Sequence, residues 1–176
     1  DDRITADAAY RLACEGSALL WRGDFQNARQ LLQALARRIE RKLPAAAAVA
    51  PVPGAAFHLF RQAQSQRARI LGRLLLPFAA DYQVPLRRAP DVRQACREAY
   101  GAADAGPFVA SLRELLGVIG AHEWRKKGVA VPALGAAIHP HYGVFAPIRG
   151  EYVGLVAAAP LPAACALAFD IGTGTG

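Results

Sequence analysis

The residues best suited to chemistry are the last eight, "FDIGTGTG" from Phe169 to Gly176, where an acid stands two positions before the first of three alternate glycines. Glycine has no Cβ, so its backbone takes φ/ψ values closed to other residues and lets a ligand approach the main chain closely. An acid at the entrance of such a loop adds a hydrogen-bond acceptor. This set suits the first phosphate- or nucleotide-contacting turn of an α/β enzyme.

Other candidates carry weaker signals. His139 and His141 in "IHPHYG" lie two apart, which on a strand places both on one face, as metal ligands can be. Pro140 separates them and no third His, Cys or carboxylate is near, so turn residues or substrate-cleft contacts are the expectation, and no metal. "HEWRK" at His122 has Lys126 where a zinc-protease helix needs its second histidine. Cys14, Cys96 and Cys165 are far apart and lack CxxC spacing, which fits neither a disulfide framework nor a zinc site and suggests a reducing, cytoplasmic setting. No nucleophile–base pair stands out, and the catalytic residues stay unassigned. Arg61, Arg67, Arg69 and Arg73, with Arg87 and Arg88, form either a substrate-docking surface or a solvated face.

Local patterns give the elements that position these residues. Thr5 or Asp7 caps a first helix expected to reach about Trp21, and Gly23-Asp24 breaks it and caps the next. From Phe25 to Lys42, apolar Ala28, Leu31, Leu32, Leu35 and Ile39 recur at the spacing of a buried helical stripe. "LPAAAAVAPVPGAA", Leu43 to Ala56, reads as a linker. A third helix is expected over Phe57 to Leu76, a short one from Pro90 to Tyr100, and a fifth opened by Pro107 and stopped by Gly128. Strands are expected only after Gly128: a short hairpin in "GVAVPALGAAIHPHYGVFAP", then a helix in "GEYVGLVAAAP", then "CALAFDI" as a strand buried on both faces of a parallel sheet.

Charge follows the same division. Of 21 Lys and Arg and 14 Asp and Glu, only Arg149, Glu151 and Asp170 lie beyond Gly128, so residues 1–128 carry the excess positive charge. A basic surface suits a nucleic-acid or acidic-protein partner. The uncharged stretches Gly128 to Ile148 and Tyr152 to Phe169 are broken by glycines and prolines and do not read as membrane spans.

"AFDIGTGTG" is similar to motif I of class I S-adenosylmethionine-dependent methyltransferases, in which two apolar residues, an acid and an apolar residue precede G-x-G-x-G. "VFAPIRGEYVGLV", Val144 to Val156, resembles the stretch that precedes motif I in protein-glutamine N5-methyltransferases and relatives with the methyltransferase small domain, with Ile148 separating Pro147 from Arg149 here. The resemblance implies S-adenosylmethionine as cofactor, contacted by Asp170, Gly172, Thr173, Gly174 and Gly176, with Phe145 and Arg149 beside them. Tyr142, Phe145 and Tyr152 flank the implied pocket, and hydrophobic packing is the first expectation for these aromatics. Two other groups share the glycines: dinucleotide-binding Rossmann loops, G-x-G-x-x-G, and the D-x-G-T-G-T phosphate loop of actin-like sugar kinases.

The expected fold is a mainly α N-terminal helical domain, residues 1–128, for docking a macromolecular substrate. It is followed in residues 129–176 by a short β-hairpin and the first strand of a truncated Rossmann-like α/β methyltransferase domain. The absence of an initiating Met and the stop within the glycine loop fit a fragment. The implied activity of the parent is methyl transfer to a nitrogen of a protein glutamine or an RNA base. The other readings are a helical docking module without catalysis of its own and the sugar-kinase phosphate loop.

Overall fold

In the computed structural model, residues 1–42, 53–103, 106–145, 150–160, 164, 166–167, 169, 171–172 and 174 are described. The chain is mixed α/β, about 53% helical. It divides into two compact units, one of Asp1–Gln94 with Ala102–Gly117, the other of Ala95–Gly101 with Val118–Gly176.

In the first unit, helix α1 (Ala6–Cys14) starts where Thr5 Oγ1 accepts the amide of Ala8 at 3.2 Å. It stops well before Trp21, because Gly16 turns the chain at φ 94° and releases Leu19–Leu20 as strand β1. Helix α2 (Phe25–Lys42) has the bounds that its apolar stripe predicts, and Ala28, Leu31, Leu32, Leu35 and Ile39 are all buried. Helix α3 (Pro53–Leu71) ends five residues earlier than its leucines suggest. Leu74–Phe78 forms strand β2 instead, with Leu74, Leu76 and Phe78 buried at the two-residue period of a strand. Leucine has high helix propensity, but Pro77 disfavours helical backbone at Leu76, and the neighbouring strands supply the ladder.

Strand β2 lies in the middle of a three-stranded sheet, parallel to β1 (Leu19 opposite Leu74) and antiparallel to β3, Phe108–Ser111 (Leu76 opposite Ala110). A proline inside a central strand normally removes a ladder bond. Here Leu75 offers its carbonyl to Trp21 at 2.8 Å, so Pro77, two residues on, faces the same side, where β1 has already ended. Phe108, expected in a helix, is held in β3 by stacking on Phe78 at 4.7 Å and meeting Tyr82 edge-on at 5.9 Å. The helix expected from Pro107 begins only at Leu112 as α5 (Leu112–Lys127), where Ser111 Oγ caps the amide of Glu114 at 3.0 Å. Helix α4 (Arg93–Tyr100) precedes β3 in the chain. The expectation that strands appear only after Gly128 is therefore corrected: the N-terminal part is α+β, because a short apolar run becomes a strand once tertiary partners pair with it.

In the second unit, α5 ends at Gly128, φ 77°, whose amide bonds Trp124 O at 2.7 Å. Strands β4 (Val129–Val131) and β5 (Ala136–Ile138) then form the expected antiparallel hairpin, with Val129 opposite Ile138. Helix α6 (Glu151–Ala158) matches "GEYVGLVAAAP". The doubly buried strand does not form among the described residues: Leu167, Phe169 and Ile171 lie outside any strand and are 69%, 81% and 93% exposed. A strand buried on both faces needs ladder partners and covering helices, and the described residues provide neither there. The Rossmann-like sheet is correspondingly not formed by them. The "LPAAAAVAPV" part of the expected linker, residues 43–52, lies outside the described residues.

Candidate functional site

Among the described residues of the second unit, His139, His141 and Gly174 meet around the exit of the β4–β5 hairpin. Pro132–Leu134 forms a single 3-10 turn, and Gly135 at φ 64° closes it into β5. Past Ile138 the chain runs through His139, buried Pro140 and His141 into a turn in which the amide of Val144 bonds His141 O at 3.1 Å and Gly143 takes φ 78°. Phe145 follows.

His139 is fixed in this path. Its Nδ1 lies 2.6 Å from the carbonyl oxygen of Arg125. A carbonyl only accepts, so Nδ1 carries the proton and donates, which leaves Nε2 as an acceptor in the neutral ring. The ring lies over Gly128. A Cβ there would sit 3.0 Å from His139 Cε1 and 3.0 Å from Ala137 Cβ, so both the left-handed φ and the tight space at this position favour glycine.

The glycine loop comes back to this exit. Gly172 and Gly174 adopt φ of 80° and 62°, the left-handed region that the alternating glycines anticipate. A Cβ on Gly174 would stand 3.1 Å from Phe145 O, so the loop passes close to the Phe145 backbone. Gly174 and the hairpin exit enclose a shallow cleft of about 370 Å³, lined by Ile138, His139, Pro140, His141, Val144 and Gly174. The cleft is mixed in character: Ile138, Pro140 and Val144 are apolar, and the two histidines bring ring nitrogens.

Of the residues implied by the glycine motif, the structure thus brings Gly174 and Phe145 together and gives Gly172 the expected backbone. Asp170, Thr173, Gly176 and Arg149 lie outside the described residues. Phe145, expected to pack, is 71% exposed, and Tyr152 is exposed as well. Neither ring is a core residue. Tyr142 meets Tyr100 edge-on at 6.3 Å. His139 and His141 line the cleft. Among the described residues no group of three or more His, Cys, Asp or Glu could hold a metal ion.

Two further groups were not visible in the sequence. His122 Nδ1 lies 2.8 Å from Glu98 Oε2, and Arg125 Nη1 is 3.5 Å from the same oxygen. The pair joins α4 to α5 across a separation of 24 residues, which no spacing rule reports. In the first unit, Asp24 is the one buried charged residue among the described residues. Arg88 donates to both its oxygens, at 2.7 and 2.8 Å, and Arg87 to one at 3.0 Å. The hydrogen bonds from Arg88, reinforced by those from Gln26 N and Arg87, hold this carboxyl well below the usual carboxylate range against the cost of burial. Arg87 and Arg88 therefore anchor their own loop rather than belonging only to an open docking surface. Burial pushes the Cys96 thiol up to about 11, so it is protonated near neutral pH and is no nucleophile.

The chain matches no family profile, no curated protein and no solved structure. No helix among the described residues is long and apolar enough to cross a membrane.

Proposed function

We propose that this chain carries the cofactor loop of an S-adenosylmethionine-dependent methyltransferase acting on a nitrogen of a macromolecule, a protein glutamine or an RNA base. The observation that carries the reading is the "DIGTGTG" sequence joined to its described geometry. Gly172 and Gly174 are both left-handed, and Gly174 sits against the Phe145 backbone at the edge of a cleft. At its glycines a loop of this kind leaves no Cβ between its backbone and a ligand. Gly172 and Gly174 would hold the amino-acid and ribose portions of the cofactor, and Phe145 with Val144 would border it. S-adenosylmethionine, when bound, supplies a methyl group on a positively charged sulfur. The remaining task of such a site is to position a nitrogen lone pair in line with that methyl group and to keep water away. His139, with Nδ1 engaged and Nε2 an acceptor, lines the cleft and would take a proton from an acceptor that arrives protonated.

Calorimetric titration with S-adenosylmethionine and, separately, with ATP tests the proposal. In a longer polypeptide that contains these residues, S-adenosylmethionine is expected to bind and ATP is not. The present 176 residues are expected to bind neither measurably, since the described loop and cleft offer contacts to only part of the cofactor. ATP binding without S-adenosylmethionine binding would end the methyltransferase reading in favour of the sugar-kinase phosphate loop.

A further inference from the structure

Helix α3 carries no acidic residue from Pro53 to Leu71, and none follows until Asp81. Residues three and four apart share a helix face, so His58, Arg61, Gln62, Ser65 and Arg69 form one stripe, and Arg73 extends it just past the helix end. All six are exposed. The stripe spans most of a helix about 28 Å long.

Several arginines among the described residues are held in ion pairs and others are not. Arg38 pairs with Asp7, Arg67 with Glu40, Arg87 and Arg88 with Asp24, and Arg93 with Asp81 and Asp91. Arg61, Arg69 and Arg73 have no ion-pair partner among the described residues. At the lower end of the stripe, Gln66, Arg69 and Arg73 face the end of α1 across a hollow of about 200 Å³, which Glu15 also lines without pairing to either arginine. At the upper end, Phe57 and Phe60 are 61% and 53% exposed, and Phe57 borders Arg61 on the wheel. The last turn of α3 is anchored by buried Ile70 and Leu71, so the stripe sits on a held element.

We propose that this face of α3 binds single-stranded RNA. Unpaired guanidinium groups along one face complement a phosphate chain, and an exposed aromatic ring beside them gives a base a surface on which to stack. The neutral Gln62 and Ser65 between the arginines both donate and accept, which suits the ribose 2′-hydroxyl. The inference rests on the methyltransferase reading only in making RNA the macromolecular substrate, and the binding itself needs no cofactor.

Fluorescence anisotropy of a short labelled oligouridylate, titrated with the 176-residue chain without S-adenosylmethionine, tests it. Binding is expected to weaken with salt, with a log–log slope of about −2 for three neutralised phosphates on a single strand. The triple variant Arg61→Glu/Arg69→Glu/Arg73→Glu is expected to remove binding, and Phe57→Ala to weaken it roughly tenfold. A charge-matched variant on α2, Arg29→Glu/Arg37→Glu/Arg41→Glu, is expected to keep most of it, with circular dichroism verifying that both variants fold. An equal loss in the α2 variant, equal affinity for the matching DNA, or preference for an acidic peptide over RNA would each overturn the proposal. None of these outcomes bears on cofactor titration, so the two readings fail separately.

Discussion

Asp24 shows how one side chain can join several parts of a chain. Its amide is bonded by Asp2 Oδ1 at 3.0 Å, its carbonyl by Trp21 Nε1 at 2.9 Å, and its carboxylate by the Gln26 amide at 2.8 Å in addition to the two arginines. The cap on α2 was legible in "GD" at the head of an apolar stripe. The arginine partners were not, since they stand 63 and 64 residues away. The folded carboxyl titrates below its unfolded value near 3.9. Its contribution to stability is therefore full above that value and is lost as pH falls through the lower folded one. Asp24→Asn is expected to lower the melting temperature by several degrees at neutral pH and to leave a shallower decline on the acid side. Thermal melts from pH 7 to pH 2 check this, and parallel wild-type and variant curves would refute it. The glycine loop gives a second prediction at this scale. Gly174→Val forces a branched side chain into a left-handed φ and against Phe145 O, so in a longer polypeptide that binds S-adenosylmethionine it is expected to cost at least tenfold in affinity. Undiminished affinity in calorimetry would show that the loop does not contact the cofactor.

At the scale of elements, the helices with a long apolar stripe are those the sequence specifies most fully, and α2 is the clear case. Short apolar runs are ambiguous. "LLLPF" is apolar at every position, so no period distinguishes helix from strand, and pairing with β1 and β3 decides. Leu76→Ala in this central strand is expected to destabilise the protein by about 2–5 kcal/mol, measured by urea unfolding, because the residue is fully buried. A loss below 1 kcal/mol would mean that the strand is not part of the cooperative core. The hairpin offers a separable test. Gly128→Ala is expected to cost roughly 1–2 kcal/mol from its left-handed backbone alone, with an added penalty from the His139 ring. Combining it with His139→Ala should recover part of that penalty, a non-additivity that a double-mutant cycle detects.

For the whole molecule, apolar residues are divided between core and surface in both units. The first buries Trp21, Phe25, Leu35, Leu74, Leu76 and Leu112 but leaves Phe57, Leu59 and Phe60 exposed, and the second buries Val118 and Val131 but leaves Leu155, Val156, Leu167, Phe169 and Ile171 exposed. Exposed apolar side chains that lie together offer a surface to hydrophobic dyes. Native-state dye fluorescence is expected to be appreciable and to fall in Phe169→Ser/Ile171→Ser, whereas changes confined to α2 should leave it unaltered. The sequence by itself determined the start and extent of α2, the hairpin after Gly128, the helix at Glu151 and the need for glycine at Gly172 and Gly174. Each of these follows from a local rule: a stripe, a turn, a cap or a left-handed φ. Only the tertiary structure decided that Leu19–Leu20, Leu74–Phe78 and Phe108–Ser111 are strands of one sheet, that Asp24 holds Arg87 and Arg88, and that Gly174 lies against Phe145. Those outcomes depend on partners tens of residues away, and a strand has no internal hydrogen bonds with which to announce itself before its neighbours arrive.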